Sequence, residues 1–278
     1  MFNFPAYVTV WGRLGRISYV ALSLAVLVFL VLPILVVIPL SFNSQPYFTY
    51  PLPGLSLRWY QEFFGNSDWM LALKNTLITG VASTVLATFL GVTASLGLTS
   101  SRIRGKAIIT GILISPMIVP LIITAVGVYF AFSPLGLTSS LLGLILAHAA
   151  LGAPFVVVTV TATLAGFNES LTRAGRNLGA SPLRVFFQVK LPLIAPGVVS
   201  GALFAFATSF DEIVVALFLT GPDQRTIPRQ MWAGIREQLS PTILAVATLL
   251  VAISTLLLIT LELLRRRSER LRGINGAV

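Results

Sequence analysis

The sequence predicts an all-α membrane protein with six transmembrane helices, and three observations predict it. The first is composition: 56% of the 278 residues are hydrophobic and 10% are charged, with a mean hydropathy of +0.91, where soluble domains carry about 25% charge. The second is a recurring set of apolar runs. Each is long enough for a helix rising about 1.5 Å per residue to cross a hydrocarbon core about 30 Å thick. The third is the placement of lysine and arginine, which alternates between successive connections.

Residues 1–16 place Phe2, Phe4, Tyr7 and Trp11 ahead of Arg13 and Arg16. This pattern fits a cytoplasmic interfacial segment, with aromatic rings at headgroup depth, or equally a loosely ordered tail. Residues 17–40 form the first span, too long for a signal-peptide core and without a small-residue cleavage site. A polar-aromatic loop with Pro46, Pro51, Pro53 and Gly54 follows,. Further spans are expected at about 71–98, 107–132, 141–165, 193–219 and 239–264. The membrane domain thus covers 17–264, and 265–278 form a basic tail.

Fourteen basic residues fall in one set of connections: Arg13, Arg16, Arg102, Arg104, Lys106, Arg173, Arg176, Arg184, Lys190, Arg265, Arg266, Arg267, Arg270 and Arg272. Only five fall in the other: Arg58, Lys74, Arg225, Arg229 and Arg236. Both termini and the 168–192 loop are therefore expected in the cytoplasm of a bacterial inner membrane. The formal net charge of +10 reads as topological anchoring beside lipid headgroups, not as a nucleic-acid surface. The chain has no cysteine, so it has neither a disulfide framework nor a thiolate ligand or nucleophile. It carries no phosphate-binding loop, zinc-binding helix or nucleophile elbow.

Polar residues within spans are few. Asp211-Glu212 interrupts the fifth, where an ionised group costs roughly 2.5–3.5 kcal/mol and so faces protein or a watery path. Two readings stand: an acidic pair lining a route for a cationic substrate, or a structural ion pair or helix cap at a subunit interface. His148 in the fourth span reads as an interhelical hydrogen-bonding residue before a ligand. Lys74 and Asn75, at the outer start of the second span, read as a snorkelling residue and a cap.

Residues 168–192, NESLTRAGRNLGASPLRVFFQVKLP, form a polar, basic island. Leu171, Ala174, Gly175 and Leu178 recur at helical spacing, with Thr172, Arg173, Arg176 and Asn177 on the other face. Gly179 interrupts this helix, and Ser181-Pro182 reads as an N-cap with proline at the first helical position of a second. Two short helices about a glycine suit a docking surface.

The spacing Arg173-Ala174-Gly175, three residues, Gly179, nine residues, Val189, one residue, Leu191-Pro192 resembles the EAA loop of ABC importer permeases. Arg173 stands where that pattern has glutamate, Gly175 for its second alanine and Val189 for isoleucine, so the glutamate's salt-bridge role does not transfer. Ser209 to Val215, Leu219-Thr220-Gly221-Pro222, Thr226-Ile227-Pro228 and Ser240-Pro241-Thr242-Ile243 are similar to the second permease of spermidine/putrescine-type importers. Ser41-Phe42-Asn43, with Trp59 and Phe63, extends the likeness.

The resemblance implies a type I ABC importer permease fold in which 168–192 is a cytoplasmic coupling helix for a separate ATPase. Leu171, Arg173, Ala174, Gly175, Arg176, Leu178, Gly179 and Pro192 would make that coupling surface, and Asp211 and Glu212 the substrate path. It further implies a homologous second permease, two ATPase subunits that bind ATP and Mg, and a periplasmic binding protein. No cofactor is expected in this chain, nor any hydrolysis by it. The cargo would be a polyamine, or else an opine, aminoethylphosphonate or related amine. A secondary transporter is the rival class, though the paired broken helices or repeats typical of that class are not evident in the sequence.

Overall fold

The computed structural model describes the backbone of residues 9–99, 104–237 and 240–271, and their side chains except at 237, 257 and 261–271. Twelve α-helices follow in order: α1 (Val10–Leu40), α2 (Arg58–Gly65), α3 (Ser67–Thr99), α4 (Lys106–Ile118), α5 (Leu121–Phe132), α6 (Leu141–Ala165), α7 (Glu169–Asn177), α8 (Pro182–Val185), α9 (Leu191–Phe210), α10 (Val214–Leu219), α11 (Ile227–Glu237) and α12 (Thr242–Leu271). Among the described residues no extended strand occurs, only an isolated bridge between Asn43 and Leu55. Five helical stretches are long and apolar enough to cross a membrane, and a bent pair supplies a sixth if counted as one span.

That pair, α4 and α5, departs from the expected continuous third span: its halves meet at a bend of 106°. The cause is local. Val119 precedes Pro120, and the proline ring drives it out of the helical region to φ −69°, ψ 133°,. The fifth span departs at both ends. It begins at Pro182 rather than 193 and breaks after Phe210 rather than running to 219.

The described chain divides into two compact units. The first comprises residues 9–63 and 240–253. Here α1 starts from Thr9, whose side chain accepts the Gly12 N–H, and runs without a break through Arg13, Arg16 and the first span. Residues 1–8 of the interfacial segment lie outside the described part. Apolar side chains stand exposed all round α1, as Leu22, Phe29 and Leu32 do, which suits a helix bathed in lipid. The loop after it is built. Trp59 Nε1 donates to the Asn43 carbonyl at 2.6 Å, Asn43 Nδ2 to the Tyr47 carbonyl at 2.7 Å, and Ser41 and Tyr60 share a hydrogen bond of 2.7 Å.

The second unit comprises residues 64–237 and 254–271, and its core is the packing of α3, α6 and α9. Gly197, Gly201, Ala205 and Ser209 recur every fourth residue, forming a stripe of small residues along α9. A Cβ on Gly201 would lie 2.7 Å from Val156 Cα, so the two backbones approach as closely as glycine allows,. Ala87, Val156, Val160, Ile194 and Ala205 fill the space between the three helices. A second cluster, Ala125, Leu144, Leu151, Val215 and Leu219, packs α5, α6 and α10 together.

The connection after α10 is stapled to α3. Asn75 is buried, and its Nδ2 donates to the carbonyls of Asp223 at 2.9 Å and Arg225 at 3.0 Å. It is a tether between elements rather than a cap. Arg229 reaches back to the Thr220 carbonyl and hydroxyl and to the Gly221 carbonyl.

Candidate functional site

Two places bring the sequence-selected residues together. The first is the break in the fifth span. After Phe210 the chain leaves the helix for three residues and resumes as α10. Residues adjacent in sequence part company here: Asp211 is exposed, while Glu212 is buried. The Glu212 carboxylate accepts the N–H of Val215 at 2.8 Å and of Ala216 at 3.0 Å. It thus satisfies two of the donors that the first turn of a helix leaves open.

His148 on α6 faces the same carboxylate. Its Nε2 lies 3.3 Å from Glu212 Oε2, close but not aligned as a hydrogen bond. Its Nδ1 lies 2.8 Å from Ser209 Oγ, and Ser83 Oγ donates to Ser209 Oγ at 3.0 Å. A buried polar chain therefore joins α3, α6, α9 and the start of α10. His148 is the interhelical hydrogen-bonding residue its sequence context implied. Glu212 takes the cap reading, and Asp211 alone keeps a carboxylate open to the surroundings. Ser83 and Ser209 were not selected from the sequence. The four-residue spacing of small residues on α9 was the available signal for Ser209.

The second place is the elbow of residues 168–192. Asn168 caps α7 by accepting the Ser170 N–H, and Ser181 caps α8 by accepting the Arg184 N–H, with Pro182 in the first turn. Gly179 between them adopts φ +83°, the left-handed region that glycine enters without a Cβ penalty,. Gly175 lets α7 approach α8, since a Cβ there would lie 3.2 Å from Val185 Cγ2. Leu171, Arg173, Ala174, Arg176 and Leu178 all stand exposed. The structure thus seats Gly175 against the second helix and leaves the remaining apolar and basic positions of α7 uncovered.

Pro192 does not end the second helix. A π-turn over Phe186–Lys190, in which the Leu191 N–H reaches the Phe186 carbonyl, absorbs the proline's missing donor, and the helix continues to Phe210,. Lys190 in that turn donates to Glu169 Oε1 at 2.8 Å and lies 5.0 Å from the centre of the Phe167 ring. The Lys190 hydrogen bond outweighs partial burial and lowers the Glu169 carboxyl below its usual range. Among the described residues no group of histidine, cysteine, aspartate and glutamate is placed to hold a metal ion.

Residues 84–270 match a family described as binding-protein-dependent transport system inner membrane component. Over 265 residues the chain is 31% identical to the spermidine/putrescine transport system permease protein PotC of Escherichia coli (strain K12), covering 95% of this chain and 99% of that one. It is 32% identical over 258 residues to the putrescine transport system permease protein PotI of the same organism, covering 90% and 92%. Among solved structures, a chain of a bacterial ABC transporter involved in the import of the acidic polysaccharide alginate superposes with a TM-score of 0.72 at 18% identity, covering 95% of this chain and 99% of that one. A chain of the MetNI methionine ABC transporter in an inward-facing conformation superposes with a TM-score of 0.59 at 21% identity, covering 73% and 99%.

Proposed function

The chain belongs to the family of binding-protein-dependent transport system inner membrane components and has the fold of an ABC importer permease, and from that premise we propose that it carries a small cationic amine, a polyamine first, from periplasm to cytoplasm. It is a multi-pass inner-membrane transporter subunit and not an enzyme. In this reading a homologous second permease completes the path and a periplasmic binding protein delivers the cargo. Two ATPase subunits bind ATP and Mg and supply the energy. The basic-residue distribution supports a cytoplasmic position for both termini and the elbow. The elbow docks on an ATPase subunit. Its second helix continues into α9 without a stop, so movement at the elbow reaches the break at 211–213 through one continuous helix,.

One observation carries the choice of cargo. At the break the Glu212 carboxylate is engaged by N–H donors of its own chain, whereas Asp211 presents a carboxylate at the C-terminal end of α9. The negative end of the helix dipole lies at the same point, so both favour a cation. The polyamine names of the relatives agree with that charge.

The test is the concentration dependence of putrescine and spermidine uptake with Asp211→Asn. Losing a charge-assisted contact of about 1.5–3 kcal/mol corresponds to roughly a ten- to hundred-fold rise in KM. Assembly and basal ATPase activity should remain as they were. Undiminished polyamine uptake at low concentration would remove Asp211 from the path.

A further inference from the structure

We infer that the surface on which residues 168–192 dock is an apolar protein groove rimmed by carboxylates; this rests on the ATPase-docking reading and adds the chemistry of the partner face. The loop contains a single acid, Glu169, and four bases, Arg173, Arg176, Arg184 and Lys190. The structure pairs the acid with Lys190 at 2.8 Å, within the chain. Outside that pair, in which the Glu169 side chain stays 59% exposed, the outward charges are of one sign: Arg173, Arg176 and Arg184 are exposed, and none joins an ion pair among the described residues. Between them stand Leu178 at 88%, Leu183 at 72% and Phe187 at 59% exposure. Apolar knobs among guanidiniums fit a pocketed surface whose edge carries carboxylates, which arginine engages through two parallel N–H groups.

A bilayer is the other surface that takes basic and apolar residues together. Helices that lie in a membrane interface lay one continuous apolar face into the headgroup boundary. Here α7 has nine residues, and Leu178 projects at the bend just after it. Gly179 at φ +83°, Gly175 against Val185 and the Glu169–Lys190 pair fix the shape before any partner arrives. A preformed, knobbed surface suits a protein partner.

The experiment uses the purified permease–ATPase complex and two cross-linking chemistries. Arg173→Lys and Arg176→Lys place an amine where a zero-length carbodiimide can join it to a carboxylate. Leu178→Cys, the sole thiol in the chain, carries a benzophenone photoprobe that links to any neighbour. The expected result is carbodiimide links from 173 or 176 to aspartate or glutamate of the ATPase, and photolinks from 178 to the same subunit. Arg173→Glu with Arg176→Glu should weaken ATPase association by about ten-fold or more at low salt. That loss should shrink near 1 M salt, where the screening length is about 3 Å. Photolinks from 178 to the ATPase without carbodiimide links, or with unweakened binding of the charge-reversed chain, would overturn the acidic rim and leave docking intact. Photolinks to lipid, or none to the ATPase, would overturn the docking reading and this inference together.

Discussion

Glu212 holds two backbone donors and faces a histidine, all away from water, and this arrangement predicts how neutral substitutes behave. Glu212→Gln turns one accepting oxygen into an NH2 group that must meet an N–H. Leaving a buried N–H without its acceptor costs about 1–3 kcal/mol, so the detergent-purified permease should melt at a lower temperature. An unchanged melting temperature would show that the carboxylate is not a structural cap. Asp211→Asn, one residue away and exposed, should stay within about 0.5 kcal/mol of the parent. Gly179 calls for a different contrast. Asparagine tolerates a left-handed backbone, whereas a β-branched residue does so at about 1–2 kcal/mol or more. Gly179→Asn should therefore keep coupled transport, and Gly179→Val should lose ATPase coupling while the protein still inserts. Equal activity of the two would mean that the φ of +83° is dispensable. For Glu169 the sign of the pH effect follows from its lowered carboxyl. The stabilisation is present above the usual value of 4.5 and is lost as pH falls through the lower folded value,. The pair is partly exposed, so its worth is about 0.2–1 kcal/mol. Protection factors of the α7 backbone amides, taken relative to the intrinsic exchange rate at each pH, should fall on acidification in the parent, with no such acid step in Glu169→Gln.

The fit of α9 against α6 is set by the small side chains at 197, 201, 205 and 209. Gly201→Val adds atoms where Val156 Cα stands 2.7 Å from a built Cβ and Thr159 Oγ1 stands 2.5 Å away. Overpacking of about 1–3 kcal/mol should appear as lower yield and melting temperature, whereas Val199→Ala, on a half-exposed position of the same helix, should be mild. If both behaved alike, the stripe would not be the packing face. Some elements were legible before folding because local chemistry decides them. The fourth span, read at 141–165, is Leu141–Ala165 in the structure, and Ser181-Pro182 opens a helix as its capping chemistry requires. The two broken spans were less legible, since hydropathy averages composition and does not register continuity. Pro120 was there to be read, and its effect on Val119 needs no tertiary contact. The separate roles of Asp211 and Glu212 were not legible, because which of the two neighbouring carboxylates turns inward is decided by packing against another helix, where His148 stands opposite Glu212. Likewise the pairing of Glu169 with Lys190 spans 21 residues and depends on the π-turn that turns Lys190 toward α7.

For the whole molecule, orientation rests on the division of the 19 lysines and arginines between alternate connections. Cysteines placed at Ser44 and Ser268 of this cysteine-free chain should react from opposite sides of the membrane, Ser268 from the cytoplasm. Reaction of both from one side would mean that the bent pair α4–α5 re-enters rather than crosses. The fold and the family make the chain an importer permease; the proposed direction, energy source and cargo belong to the assembled complex. The measurement that bears on all three is uptake of labelled spermidine by proteoliposomes holding the complete complex, with ATP enclosed, in the presence of the binding protein. Accumulation should require enclosed ATP, stop with Gly179→Val, and need a higher spermidine concentration with Asp211→Asn. Spermidine uptake that proceeds without ATP or without the ATPase subunits would contradict it and point to a secondary transporter.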